Sequence, residues 1–510
     1  MKKPSAHLFQ LIKSLNMSEK RYFKLNALRN NAKEQNVSIK LFDAIDDQRI
    51  YDEKAIRTLF SKESFVKRLN TAKQNLYEMI LKSIDTFHTN NSVEARLRKD
   101  LHCIELLYEK GLFDQCKKII LRAKSVAGKH EHLAVLQQLI RWEVNLMRTN
   151  YYVGKTEVEI EKVFKQLFDT DEKQKNQNEY NRLAALLFNV HRKKGGLRAP
   201  SELKKHRAIM RHPLLSNEKK ALTFLSLFNF YRCHALYAGA IKDNIRERSY
   251  EEKIIQLIEN NGPITGSSTM YLNALYNFIG TQITLNNYSK AIQYFEKLKT
   301  IAPNSIRSKN LALQYKAISG LAIYIGTGQF NKGLALIKEV DKESMNQNNT
   351  ALKKNTTFIY DVFCNYFGLE EYRTAKLWLN KILNDTNEDL RIDILCFARI
   401  MNLILHFELG DQEQLERIAK STYKFLLKRE RLYKVETAVF NFIRKRMSKI
   451  NSRKELITAF KEVRSELIPL LDEPFEKNAF VYFDFISWLD SKIEKRSFAD
   501  VLREKATITT

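Results

Sequence analysis

The chain has 510 residues, 44% of them hydrophobic, and carries 86 Lys and Arg against 59 Asp and Glu, a net charge of +27. The hydrophobic share excludes global disorder, and the length excludes one compact core, which leaves several domains or an elongated repeat array. With only 15 Gly and 7 Pro, the composition favours long helices and speaks against a many-turned β protein.

Residues 1–92 read as a separate helical domain. A first amphipathic helix carries Leu8, Leu11, Ile12 and Leu15, and Ser18 can cap a second through Tyr22, Phe23 and Leu28. A short third helix runs from about residue 39 to 45. Asp52 caps a fourth, EKAIRTLF, and a long fifth runs from about residue 63 to 87. The last two also read as a helix-turn-helix with Lys67, Arg68 and Lys73 toward DNA. No glycine marks that turn and the last helix is long for a recognition helix, so a bundle is the preferred reading. The basic start lacks the apolar core of a signal peptide, and no stretch reaches the roughly 18 apolar residues of a membrane span, so the chain is expected in the cytoplasm.

Beyond residue 92 the punctuation becomes periodic. Turn signals fall at Gly111, Gly154, Gly195, Gly239, Asn286, Gly328, Gly368, Gly410 and Asn451, with intervals from 40 (Gly328 to Gly368) to 47 (Gly239 to Asn286). Polar or Pro-bearing loops are expected between them at 169–178, 212–213, 259–268, 302–303, 344–349 and 384–389. Two marks per period mean two helices per unit, with a sharp turn inside each unit and a looser loop between units. Phe113, Tyr288, Phe330 and Tyr372 follow the sharp turns, and three residues on stand Cys116, Ala291, Gly333 and Ala375. Self-similarity at such a period marks a stacked helical array.

The clearest unit is LNNYSKAIQYFEKLKTIAP, residues 285–303. Tyr288 opens a helix after the Asn-Asn turn, Ala291, Phe295 and Leu298 share one face, and Pro303 ends the run. This segment closely resembles the second helix of a tetratricopeptide repeat (TPR), with Leu275 and Phe278 as packing residues of a first helix from about Met270. Where that family places a small residue stands Ile279, with Gly280 one place late. The period near 42 exceeds the TPR value of 34, so longer helices are implied, as in divergent TPR-like arrays of bacterial sensor and peptide-binding regulators. The resemblance implies an all-α fold: a TPR-like α-solenoid over residues 93–450, an N-terminal helical bundle, and a C-terminal helical cap over residues 451–510. In the cap, Phe480, Phe483, Ile486 and Trp488 form one helix-like run, and the last residues from about Lys505 are expected to fray.

Few residues suggest chemistry. The glycine spacing of 328–333 matches a phosphate loop, but Leu334 and Ala335 stand where Lys and Ser/Thr are required. His130 and His132 lie two apart, which on a helix points them about 200° apart and away from a shared metal, even with His102, Cys103 and Cys116 nearby. The five cysteines form no C-x-x-C pair and are expected as buried thiols. No catalytic set, cofactor site, metal site or small-molecule substrate is indicated.

The charge favours anionic partners such as nucleic acid or a ribosome, although a Lys-rich surface also keeps a long helical protein in solution. Two segments carry it. Residues 191–212 include Arg192, Lys193 and Lys194 in a turn and the helix after it. The helix after Gly410 buries Leu415, Ala419, Thr422 and Leu426, and opposite them lie Arg417, Lys420, Lys424 and Lys428. Lys434, Arg444, Lys445 and Arg446 continue the charge, and Tyr423 and Tyr433 are placed either to stack on bases or to pack in the core. The expected function is a non-enzymatic scaffold binding a protein or peptide along its concave face. The alternatives are a nucleic-acid- or ribosome-associated protein, and a regulator that binds DNA through its N-terminal helices and senses a ligand through its repeats.

Overall fold

A computed structural model describes residues 6–30, 34–89, 92–194, 203–262, 268–303, 305–346, 351–385, 391–429, 431–443, 452–473 and 476–508. The fold is all-α, with no strand among the described residues. No helix among them is long and apolar enough to cross a membrane. The chain divides into two compact units, Met1–Gln174 and Lys175–Thr510. That division falls inside one helix and coincides with neither boundary expected from the sequence.

The first unit opens with α1 (His7–Ser14), α2 (Met17–Asn30), α3 (Glu34–Asp46), α4 (Glu53–Leu59) and α5 (Leu69–Thr89). Ile12, Phe23, Leu41, Phe42, Ile45, Ile56, Leu76 and Ile80 form one core among them. Asn16, not Ser18, caps α2: its side chain accepts from the Glu19 amide at 2.9 Å, and Glu19 accepts from the Asn16 amide at 2.7 Å. Asp52 caps α4 as expected, accepting from Lys54 and Ala55. A 3₁₀ turn, Ser64–Arg68, precedes α5 instead of continuous helix. The ammonium of Lys73, one of the cations of the DNA-binding alternative, bonds Glu53 at 2.7 Å and the Tyr51 hydroxyl at 2.9 Å.

Three further helices follow: α6 (Val93–Glu109), α7 (Phe113–Lys129) and α8 (Leu133–Thr149), and then α9 (Glu157–Lys194). Gly111 and Gly154 turn with positive φ where expected. The segment 169–178 is not a loop; it lies inside the 38-residue α9. Neither Gly nor Pro interrupts it, and Asp171 and Asn176 within it bond neighbouring segments. His130 and His132 flank a tight turn at Glu131 (φ 51°), not a helix, with their rings 6.3 Å apart.

In the second unit, α10 (Leu203–Met210) leads to α11 (Phe224–Ile241) and α12 (Asn244–Asn260). Four helix pairs follow: α13 (Ser268–Thr284) with α14 (Tyr288–Thr300), α15 (Ile306–Gly326) with α16 (Phe330–Asn346), α17 (Thr356–Gly368) with α18 (Tyr372–Leu383), and α19 (Ile392–Glu408) with α20 (Gln412–Lys428). The first helices α13, α15, α17 and α19 pack side by side in sequence. Each of α14, α16 and α18 packs on its own first helix and on the next one. This is a two-layer stack. Tyr288, Phe330 and Tyr372 each open a second helix, and Ala291, Gly333 and Ala375 are buried three residues on. Phe113 likewise opens α7 but is 41% exposed, over a buried Cys116. Phe295, with Leu298 beside it, is buried in the core shared with Leu275, Phe278 and Ile279; truncating Phe295 to Ala would cost about 3–5 kcal/mol.

Several turn signals need correction. Gly239 lies within α11, and the chain turns at Lys242 (φ 62°). Gly368 closes α17 and the turn is at Glu370 (φ 61°). Gly195 and Asn451 lie outside the described residues. Of the cysteines, Cys103 is only partly buried, unlike the other four.

The C-terminal part comprises α21 (Lys434–Asn441), α22 (Arg453–Leu467), α23 (Phe485–Glu494) and α24 (Phe498–Ile508). The expected single run from Phe480 to Trp488 is broken: a 3₁₀ turn, Lys477–Val481, precedes α23. Helix α24 does not fray at Lys505 but runs to Ile508, and Lys505 pairs with Asp484 at 2.5 Å.

Candidate functional site

Asp411 caps α20 by accepting from the Gln414 amide, and its buried face (Leu415, Ala419, Thr422, Leu426) packs on α19. That packing turns Arg417, Lys420, Lys424 and Lys428 outward, and all four are exposed. None of them forms an ion pair among the described residues; Arg417 donates only to the side-chain oxygen Oε1 of Gln414, at 3.0 Å. Exposed Glu413 and Glu416 precede the stripe, so its first turn is mixed and its second half purely basic. Lys434 does not extend the stripe, because Glu473 neutralises it at 2.7 Å. Tyr423 packs on Phe440, ring centroids 5.1 Å apart, so it is not offered to a base. Arg444, Lys445 and Arg446 lie outside the described residues. Arg192, Lys193 and Lys194 end α9, and no turn is described there.

Sequence reasoning missed two cations beside the stripe. The guanidinium carbons of Arg399, on α19, and Arg429, just after α20, lie 3.9 and 3.8 Å from the centre of the Phe425 ring. The Arg399 Nε is enclosed without a hydrogen-bond partner among the described residues. Burial, and next the nearby Arg429, pull the Arg399 guanidinium below its ordinary range. The lone charge in the run ILCFARIMNLIL, apolar otherwise except for Asn402, was the available signal.

A second cluster lies on the layer of first helices. Tyr276 of α13 and Tyr315 of α15 stack at 4.0 Å with planes 11° apart, and the Tyr315 hydroxyl donates to Asn273 at 2.5 Å. Asp361 of α17 sits within electrostatic reach of Tyr276, as does Arg391. One Asp361 carboxylate oxygen is enclosed with no donor, and burial pushes its carboxyl up to about 8 despite Arg391. Near the stacked tyrosines, α13 and α15 border a cleft of about 220 Å³ lined by Asn273, Leu311 and Gln314 among others. That is below the usual size of a small-molecule site and suits a side chain.

Part of this layer is already covered by the chain's own C-terminal segment. Tyr482 stacks on Phe397 of α19 at 4.2 Å and its hydroxyl donates to Asp393, while its carbonyl accepts from the Tyr360 hydroxyl at 3.3 Å. Farther along, Trp488 and Lys492 both donate to Glu408 at 2.7 Å. Phe498 packs against Phe330 and Phe367, and Arg503 donates to the Gly328 carbonyl at 3.3 Å.

Among the described residues no three His, Cys, Asp or Glu side chains are placed to hold a metal ion. The chain matches no protein-family model and none of the curated proteins.

Proposed function

We propose that the helix pairs of the second unit are a TPR-like array that binds a protein or peptide along the face of α13, α15, α17 and α19. In this reading the protein is a cytoplasmic scaffold that catalyses no reaction. The observation that carries it is the manner in which this face holds residues 476–484. Tyr482, just after the 3₁₀ turn, is gripped there by a hydroxyl on its backbone carbonyl, a stacked ring and a carboxylate, contacts that the same face can offer to a partner's backbone and side chains. The Asn273–Gln314 cleft leaves the same face open toward α13 and α15. Stacked helix pairs supply the extended surface such binding needs.

A second reading has its own support. The four cations of the α20 stripe are exposed and have no acidic partner among the described residues, whereas Lys434, Lys492 and Lys505 are all paired. Nucleic acid or a ribosomal surface fits that face. Affinity purification of the full chain from its own cells, with and without nuclease, separates the two. A protein partner retained in stoichiometric amount after nuclease is expected; loss of every partner on nuclease treatment would favour the second reading.

A further inference from the structure

Two guanidinium groups this close to one ring centre cannot share a face without overlapping, so Arg399 and Arg429 take opposite faces of Phe425. Neither forms a hydrogen bond or an ion pair among the described residues. An enclosed N–H on Arg399 with no acceptor among the described residues, facing a second cation across the ring, carries a cost that an oxyanion at the ring edge would remove. The guanidinium fork is the group that matches phosphate oxygens in paired, charge-assisted bonds. We propose that Arg399 and Arg429 form a clamp for one backbone phosphate of a nucleic-acid strand lying along α20.

The source of the phosphate rests on the second reading above, which the clamp deepens. Lys428 adjoins Arg429, and Lys424 and Lys420 follow at four-residue intervals, a rise of about 6 Å each. A row of cations at that step suits the successive phosphates of one strand better than it suits a single small anion. The clamp is open at the surface: Arg429 is exposed and only the Nε of Arg399 is enclosed. Phe425 is covered on both faces and cannot stack on a base, so the clamp fixes the position of a strand and reads no sequence.

The test is fluorescence anisotropy of a short, labelled single-stranded RNA of mixed sequence across a salt series. Wild type, R399Q, R429Q, R399Q/R429Q and K420Q/K424Q/K428Q are compared. Wild type should bind with strong salt dependence. Each arginine variant should bind roughly tenfold more weakly, the loss of a charge-assisted bond. The double arginine variant should lose little more than either single one, since both forks hold one phosphate, and its logarithmic salt slope should fall by about 0.7. R399K and R429K, which keep the charge without the fork, should restore only part of the affinity. R429Q, at an exposed position, decides the matter if R399Q does not fold. Full affinity and slope in R399Q/R429Q alongside a loss in the lysine variant would overturn the clamp and leave the stripe standing. No RNA binding by wild type would overturn both. A thermal shift of wild type by inorganic phosphate alone, without RNA binding, would overturn the strand as the source.

Discussion

Glu247 and Glu251 stand four residues apart on α12 and turn inward, Glu247 beside the Gly239 backbone and Glu251 accepting from the Thr281 hydroxyl at 2.6 Å. Burial pushes the Glu247 carboxyl up to about 7, and burial with its charged neighbour Glu247 pushes Glu251 well above its ordinary range. Asp361 is raised in the same direction. A raised acid binds more protons folded than unfolded, so its stabilising effect is full below the unfolded value and is lost as pH rises through the folded one. Replacing Glu247 by Gln should therefore flatten the fall in stability between about pH 5 and 8, by an amount on the order of 3 kcal/mol. Denaturation midpoints across that range measure it, and identical pH profiles for variant and wild type would show that the site is solvated. None of this was legible beforehand, because an i, i+4 acidic pair reads as a solvated face until its neighbours are known. Arg399 and Asp361 were closer to legible: each is a charge among mostly apolar neighbours, Arg399 within ILCFARIMNLIL and Asp361 within FIYDVF, the pattern that most often demands a partner.

At the scale of elements, the second helices could be read from the sequence because an aromatic start and a small residue three places on answer a packing need. Gly333 shows it: a β-carbon there would run into the Asn365 side chain. The turns were harder. Gly111, Gly154, Gly328 and Gly410 do hold positive φ, but so do Glu131, Lys242 and Glu370, which nothing in the composition announces. Conversely Gly239 and Gly368 sit inside helices, where a β-carbon would meet Glu247 and Phe330. Helix α9 was missed for the opposite reason: its polar middle, read as a loop, makes specific bonds, as where Asn176 holds the Lys220 carbonyl and the Leu222 amide. The reach of the C-terminal segment could not be read either, since its partners are up to 235 residues away. The segment expected as a cap runs back over the stack. Glu408, 8% exposed, is its central anchor. Glu408→Ala should cost about 2–3 kcal/mol, at or below the low end for a buried pair because Lys492 is partly exposed. It should also speed amide exchange across α23. A change under about 0.5 kcal/mol, the size of an ordinary surface substitution, would mean the segment is not held there.

For the whole molecule, composition and period were enough to specify an all-α chain of helix pairs, because scarce Gly and Pro allow little else. They were not enough to place the division into units, which falls within α9 where no composition change marks it. The account's central claim is that partners dock on the layer of first helices. A photo-reactive amino acid placed singly at Asn277 of α13 or Gln314 of α15, and as controls at Gln293 of α14 and Lys424 of α20, tests it in cells. Asn277 is exposed and Gln314 half-buried on the first-helix layer; both controls are exposed. The expected result is the same protein cross-linked from Asn277 and Gln314, resistant to nuclease, and absent from Gln293. Cross-links confined to Lys424 and carried by nucleic acid would contradict the claim.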